Sequence, residues 1–231
     1  MRRLLDRFLP ASGRAWHMAN RKVGELIVIA CDTRSVHGAA AKKVADEFFA
    51  ALNDLAGNHA MAVAGVAVTL ERLEAVPVKP GEASMNLVGY DDPNSGSSFY
   101  WQKWPLATIG ERLGPDGPVI RSIGQQWVVS VATQWNDHFR QRFADAEGVE
   151  AGEIKDPLMA DMNRMRNDVI HHRGIATAKN TGRCEALRWF SAGAEIHVMP
   201  VHVVELMDRL GLVNKTSDFD SDSGPWEESE V

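Results

Sequence analysis

The residues of this chain whose types and spacing can do chemistry lie in the run Arg166-Asn167-Asp168-Val169-Ile170-His171. A guanidinium holds phosphate oxygens through a planar fork of donors, and an imidazole moves a proton near neutral pH. Together they suffice for metal-free cleavage of RNA. A base takes the proton from a ribose 2′-hydroxyl, the freed oxygen attacks the adjacent phosphorus, and an acid protonates the leaving 5′-oxygen. His171 is suited to act as base or acid, and Arg166 to neutralise charge that builds in the transition state. DNA lacks the 2′-hydroxyl, so this chemistry is specific to RNA. Asn167 stands four residues before His171, where its amide can fix the imidazole. Spacing alone does not compel this reading, because an arginine and a histidine five residues apart also occur on ordinary solvated helices.

The element that must carry these groups is a helix. Asp156-Pro157 supplies a cap and a first-turn proline, and the helix runs from about 157 to 173, with Gly174 to stop it. Leu158, Met162, Met165 and Val169 form its core stripe. With Arg166 at zero on a wheel of 100° per residue, Asn163 falls near 60°, Gly174 near 80°, Asn167 near 100° and His171 near 140°. These residues make a polar sector beside the stripe. Arg166 and His171 are not stacked, but side chains of that length can converge on one phosphate, above all in a groove completed by a second copy of the helix.

The rest of the chain reads as all-α. An alanine-rich helix over 38–56, with Val44, Phe48, Leu52 and Leu55 at helical spacing, is expected to end at Gly57. Residues 60–75 suit a buried helix, although their valines also suit a strand. From 77 to 102 proline, glycine, serine, asparagine and aspartate cluster, marking a long polar loop: a lid, a partner-binding segment or a disordered excursion. A long helix over 118–143 puts Trp127, Val131, Trp135, His138 and Arg142 on one side and Asn136 on the other. His138 and Arg142 then read as a satisfied core pair, or as part of a polar pocket or subunit interface. Glu195-Ile196-His197-Val198 is a short strand or turn, and Met199-Pro200 opens a last amphipathic helix that ends at Gly211. The domain expected is one helical unit over 1–214, followed by a disordered acidic tail over 215–231.

The 231 residues carry a formal charge of −6, which at first disfavours a nucleic-acid partner. Six acidic residues and no basic one fall in 216–231, so the remainder is formally neutral. Within 161–190, Arg164, Arg166, Arg173, Lys179, Arg183 and Arg188 outnumber Asp161, Asp168 and Glu185, so the motif region is locally basic. The tail reads as a solvated end, or as an autoinhibitory mimic of RNA in the basic cleft. Met1-Arg2-Arg3-Leu4-Leu5 is interrupted by Asp6 and Arg7 and makes a poor secretory signal, and no window is apolar enough to span a bilayer. A cytoplasmic protein without a membrane partner is expected. Cys31 and Cys184 lie too far apart to frame a disulfide scaffold, and neither has a close histidine partner. No HExxH, phosphate-binding glycine loop or G-x-S-x-G elbow is present, so no metal or cofactor is expected. The seven tryptophans are scattered and read as core.

The run Arg-Asn-x-x-x-His, carried by Arg166, Asn167 and His171, resembles the signature of the HEPN domains. The context over about 118–211 is similar too: an amphipathic helix (135–148), an acidic loop, then the motif helix after Asp156-Pro157. It looks closest to the defence-associated bacterial members. The resemblance implies a HEPN-like helical bundle and a metal-independent endoribonuclease leaving 2′,3′-cyclic phosphate ends, with Arg166, Asn167 and His171 as its site. It implies a homodimer whose motif helices face one another, acting on RNA as a toxin or antiviral effector restrained by an antitoxin or other regulatory partner. His172 then falls outside the motif register and reads as a bystander rather than an alternative base. Two other readings stand beside the nuclease. One is a non-catalytic nucleotide-binding or interaction module; the other is a helical scaffold in which the motif is accidental.

Overall fold

The computed structural model describes residues 38–77, 85–91 and 97–212. The readings made above for the first 37 residues, Cys31 among them, and for the tail over 215–231 lie outside the described residues. The described residues form an all-α fold with one small hairpin. In chain order they are α1 (Gly38–Glu74), β1 (Met85–Asp91), β2 (Ser98–Pro105), α2 (Ile109–Leu113), α3 (Pro118–Thr133), a π-helical turn (Gln134–Phe139), α4 (Arg140–Glu147), α5 (Pro157–His171) and α6 (Pro200–Arg209). Short 3-10 turns occupy Leu106–Thr108 and Thr181–Arg183. Helix α3 packs on both α1 and α5, while α4 and α6 also meet α1.

Helix α1 runs through Gly57 instead of ending there. A glycine inside a helix costs about 1 kcal/mol relative to alanine, but the buried row Val44, Phe48, Leu52, His59, Val63 and Ala67 continues across it at helical spacing. Packing of that row outweighs the local preference. The segment over 60–75 is accordingly helical. The polar excursion at 77–102 holds β1, paired antiparallel with β2 from Met85↔Pro105 to Asp91↔Ser98 with an irregularity between Val88 and Gly89. Among the described residues no helix is long and apolar enough to cross a membrane.

The long helix expected over 118–143 is interrupted by a change of phase. At Gln134–Phe139 it opens into π-helix, and the amide of Arg140 donates to the carbonyl of Trp135, five residues back. Residues within and beyond that turn no longer obey 100° per residue. His138 is therefore exposed, and Arg142 pairs with Glu47 of α1, so the two do not form the core pair. Asn136, expected on the outer side, turns inward and bonds to Asn163 of α5. Upstream of the turn, Trp127, Val128, Val131 and Ala132 are buried as the stripe requires.

Candidate active site on the motif helix

Helix α5 starts as its sequence dictates. The Asp156 carboxylate accepts the Met159 amide at 2.8 Å and Pro157 occupies the first turn. Its buried face is Leu158, Met159, Met162 and Met165. Two aspartates, Asp161 and Asp168, are buried on the same helix, 1% and 0% exposed. Seven residues apart, they fall about 20° from one another on the wheel. Burying a carboxylate costs several kcal/mol unless donors surround it, and both are surrounded.

Asp168, inside the motif itself, accepts the Thr177 amide (2.8 Å) and hydroxyl (2.9 Å), the Asn180 side-chain amide (2.7 Å) and the Thr181 amide (3.0 Å). Burial opposes its ionisation, yet these donors, Asn180 foremost, hold the carboxyl down at about 2. Its backbone carbonyl accepts the amides of His172 (2.9 Å) and Gly174 (3.1 Å), the wrap that ends a helix on a left-handed residue. Asp161 does the same service one segment further on. Its Oδ2 accepts the amides of Glu185, Ala186 and Leu187 at 3.0, 2.7 and 2.8 Å, and its Oδ1 takes Arg164 at 2.5 Å. The irregular chain after α5 is thus stapled to the motif helix at two points.

At the C-terminus of α5 the backbone passes through two left-handed residues, Arg173 (φ 53°) and Gly174 (φ 74°). Gly174 lies against Gln125 of α3, where a Cβ would stand 2.2 Å from the side-chain amide nitrogen. Gln125 in turn donates to the carbonyl of Ile196 at 3.0 Å, and Ile196 donates to the Gly174 carbonyl at 2.7 Å. Residues 195–198 are irregular chain with one bridge, Ile175↔Glu195. This knot fixes the end of the helix that carries His171.

Of the predicted site residues, Arg166 and Asn167 are half-buried and His171 is exposed. Among the described residues the Arg166 guanidinium has no ion pair, and its Nε is shielded from solvent without a hydrogen-bond partner. Arg164, by contrast, is paired with Asp161. Asn167 and His171 are one turn apart, but no hydrogen bond joins them among the described residues, so the amide does not fix the imidazole. The polar sector is buttressed instead at Asn163, through the Asn136 pair. His172 stands 4.0 Å from the Asp168 carboxylate, beyond hydrogen-bond length. Beside His171, Ile170 and Ile175 are 46% and 41% exposed, leaving apolar surface at the edge of the sector.

Chemically, the arrangement offers a guanidinium with uncommitted donors and an accessible imidazole on one helix. Cys184 is no nucleophile: burial, then the nearby Asp161 charge, push its thiol up to about 12. The sequence reading missed the two aspartate anchors. The signal was present in an i, i+7 aspartate pair followed by the threonine- and asparagine-rich segment 177–181. Compared with protein-family models, curated proteins and solved structures, the chain matches none.

Proposed function

We propose that this chain is a HEPN-type endoribonuclease that cleaves RNA without a metal, by 2′-hydroxyl attack leaving a 2′,3′-cyclic phosphate. The observation that carries the reading is Arg166: a half-buried guanidinium without a carboxylate partner among the described residues, on the helix that exposes His171. A partly desolvated cation without a counter-ion is expensive, and a phosphate oxygen is the partner that would satisfy it. In this reading Arg166 holds the phosphate and stabilises the charge of the phosphorane-like transition state, His171 transfers the proton, and Asn167 supports the site between them. The apolar surface at Ile170 and Ile175 supports a homodimer whose two motif helices share one cleft. The proposed role is that of a toxin or phage-defence effector restrained by a regulatory partner.

The test is single-turnover cleavage of single-stranded RNA in EDTA by the parent, Arg166→Ala and His171→Ala proteins, each shown to melt as the parent does. Loss of at least about 100-fold in each variant is expected. Cleavage by His171→Ala at the parental rate removes the imidazole from the chemistry. RNA binding without cleavage by any of the three assigns the chain to the non-catalytic binding modules.

A further inference from the structure

We propose that the open groove between α5 and residues 181–191 is a nucleotide-binding site, in which arginines hold the phosphate and Phe190 stacks on the base. The groove has a volume of about 690 Å³ and is lined by Arg164, Arg183, Arg188, Glu185, Cys184 and Phe190, among others. That volume lies within the roughly 300–1,000 Å³ of small-molecule sites and is far more than a bare phosphate fills. Its charged lining residues are three arginines and one glutamate, and the arginines differ in commitment. Arg164 is held by Asp161. Among the described residues Arg188 uses only its Nε, donated to the Glu185 carbonyl at 3.1 Å. The Arg183 side chain makes no hydrogen bond or ion pair among the described residues and is exposed.

The wall is built before any ligand arrives. The amides of residues 185–187 are clamped on Asp161 and that of Thr181 on Asp168. The arginines therefore stand on a fixed backbone, which lowers the ordering cost of binding. Phe190 is half-buried and braced by the His202 ring at 5.4 Å, and Cys184, held as the neutral thiol, adds apolar surface. A base stacked on an aromatic ring beside arginines that grip its phosphate is the shared chemistry of free nucleotides and of single-stranded RNA. Either source fits the groove. Arg164 and His171 are seven residues apart on nearly the same side of α5, about 10 Å along its axis. That a strand leaving the groove reaches His171 rests on the ribonuclease reading; that the groove takes a nucleotide does not.

Calorimetric titration of the full chain carrying His171→Ala, which leaves bound RNA uncut, tests the proposal. The probes are ribose 5-phosphate, adenosine 5′-monophosphate, a ten-nucleotide single-stranded RNA and an acidic peptide. Arg183→Ala with Arg188→Ala is expected to weaken both the mononucleotide and RNA about tenfold or more. Phe190→Leu is expected to weaken the same two ligands about tenfold while leaving ribose 5-phosphate within about twofold. Equal affinity for mononucleotide and RNA identifies a free nucleotide as the natural occupant, and RNA tighter by more than about tenfold identifies a strand. If the double variant melts early, Arg183→Gln alone carries the test. Mononucleotide and RNA bound by the variants as by the parent, no binding of either, or the acidic peptide bound as tightly as RNA, each overturns the proposal. Cleavage by the protein with His171 intact is scored separately. Activity without groove binding sinks this inference alone, and groove binding without activity sinks the ribonuclease reading alone.

Discussion

Asp168→Ala is predicted to destabilise the protein by about 3–4 kcal/mol, although the residue takes no part in the proposed chemistry. The substitution strips the acceptor from four donors: the Thr177 amide and hydroxyl, the Asn180 side chain and the Thr181 amide. A donor left unmatched in the interior costs about 1–3 kcal/mol. Thr181 is buried, whereas Thr177 and Asn180 are half-buried, so water relieves part of their loss and the sum stays near the low end. With a urea slope of about 1–3 kcal/mol per molar, the midpoint falls by about 1–4 M. The pH dependence distinguishes this carboxylate from generic packing. Its folded value of about 2 lies below the ordinary 3.8, so its contribution is fully present above the ordinary value and is lost as pH falls toward about 2. Urea unfolding of parent and variant should therefore differ by a constant amount above pH 5 and converge below about pH 3.8. A deficit under about 1 kcal/mol, or one that is the same at pH 7 and pH 3, refutes the argument that Asp168 staples the segment after the motif helix.

Other outcomes follow from single residues. Burial lowers the proton affinity of His59, and of His202. Stability is thus expected to fall as pH drops below about 6.5, by up to about 1.4 kcal/mol per histidine per pH unit, because the unfolded chain gains the proton first. His59→Leu should flatten the drop between pH 7.5 and 5.5 in urea melts, and an unchanged slope contradicts this. Gly174→Ala places a Cβ at φ 74° against Gln125, and a loss of about 2 kcal/mol is expected by thermal melting. Cys184, with its thiol held near 12, should alkylate far more slowly at pH 8 in the folded protein than in urea, as read by peptide mass spectrometry. If His172 is a bystander, His172→Ala keeps RNA cleavage within about threefold of the parent while His171→Ala loses about 100-fold.

The helices were legible where local chemistry and packing agree. The Asp156-Pro157 start, the Leu158, Met162 and Met165 stripe and the stop near Gly174 all follow from residues within one turn of each other. Gly57 misled because the buried row that carries α1 across it belongs to contacts distant in sequence. The Gln134–Phe139 π turn misled more instructively: its wider winding shifts the phase of the residues within and after it, which exposes His138 and brings Asn136 to Asn163. The hairpin was hidden because turn residues crowd before and between its strands, although Phe99, Tyr100, Trp101 and Trp104 in β2 are strand formers. Asp161 and Asp168 read as ordinary charges on a helix, since the donors that bury them lie up to 26 residues further along the chain. The arginine groove was hidden for the same reason; its parts are joined only when that segment folds back.

The most direct test of the central claim, that Arg166 and His171 act on one phosphodiester, is the end chemistry of cleavage in EDTA. A single-stranded RNA and the same oligomer with one 2′-deoxy residue at the mapped cut site are incubated with the parent protein, and product ends are read by mass spectrometry. The account predicts a 2′,3′-cyclic phosphate from the RNA, no cut at the deoxy position, and neither product from His171→Ala or Arg166→Ala. Cleavage at the deoxy position, 3′-hydroxyl products, or parental activity in either variant contradicts it.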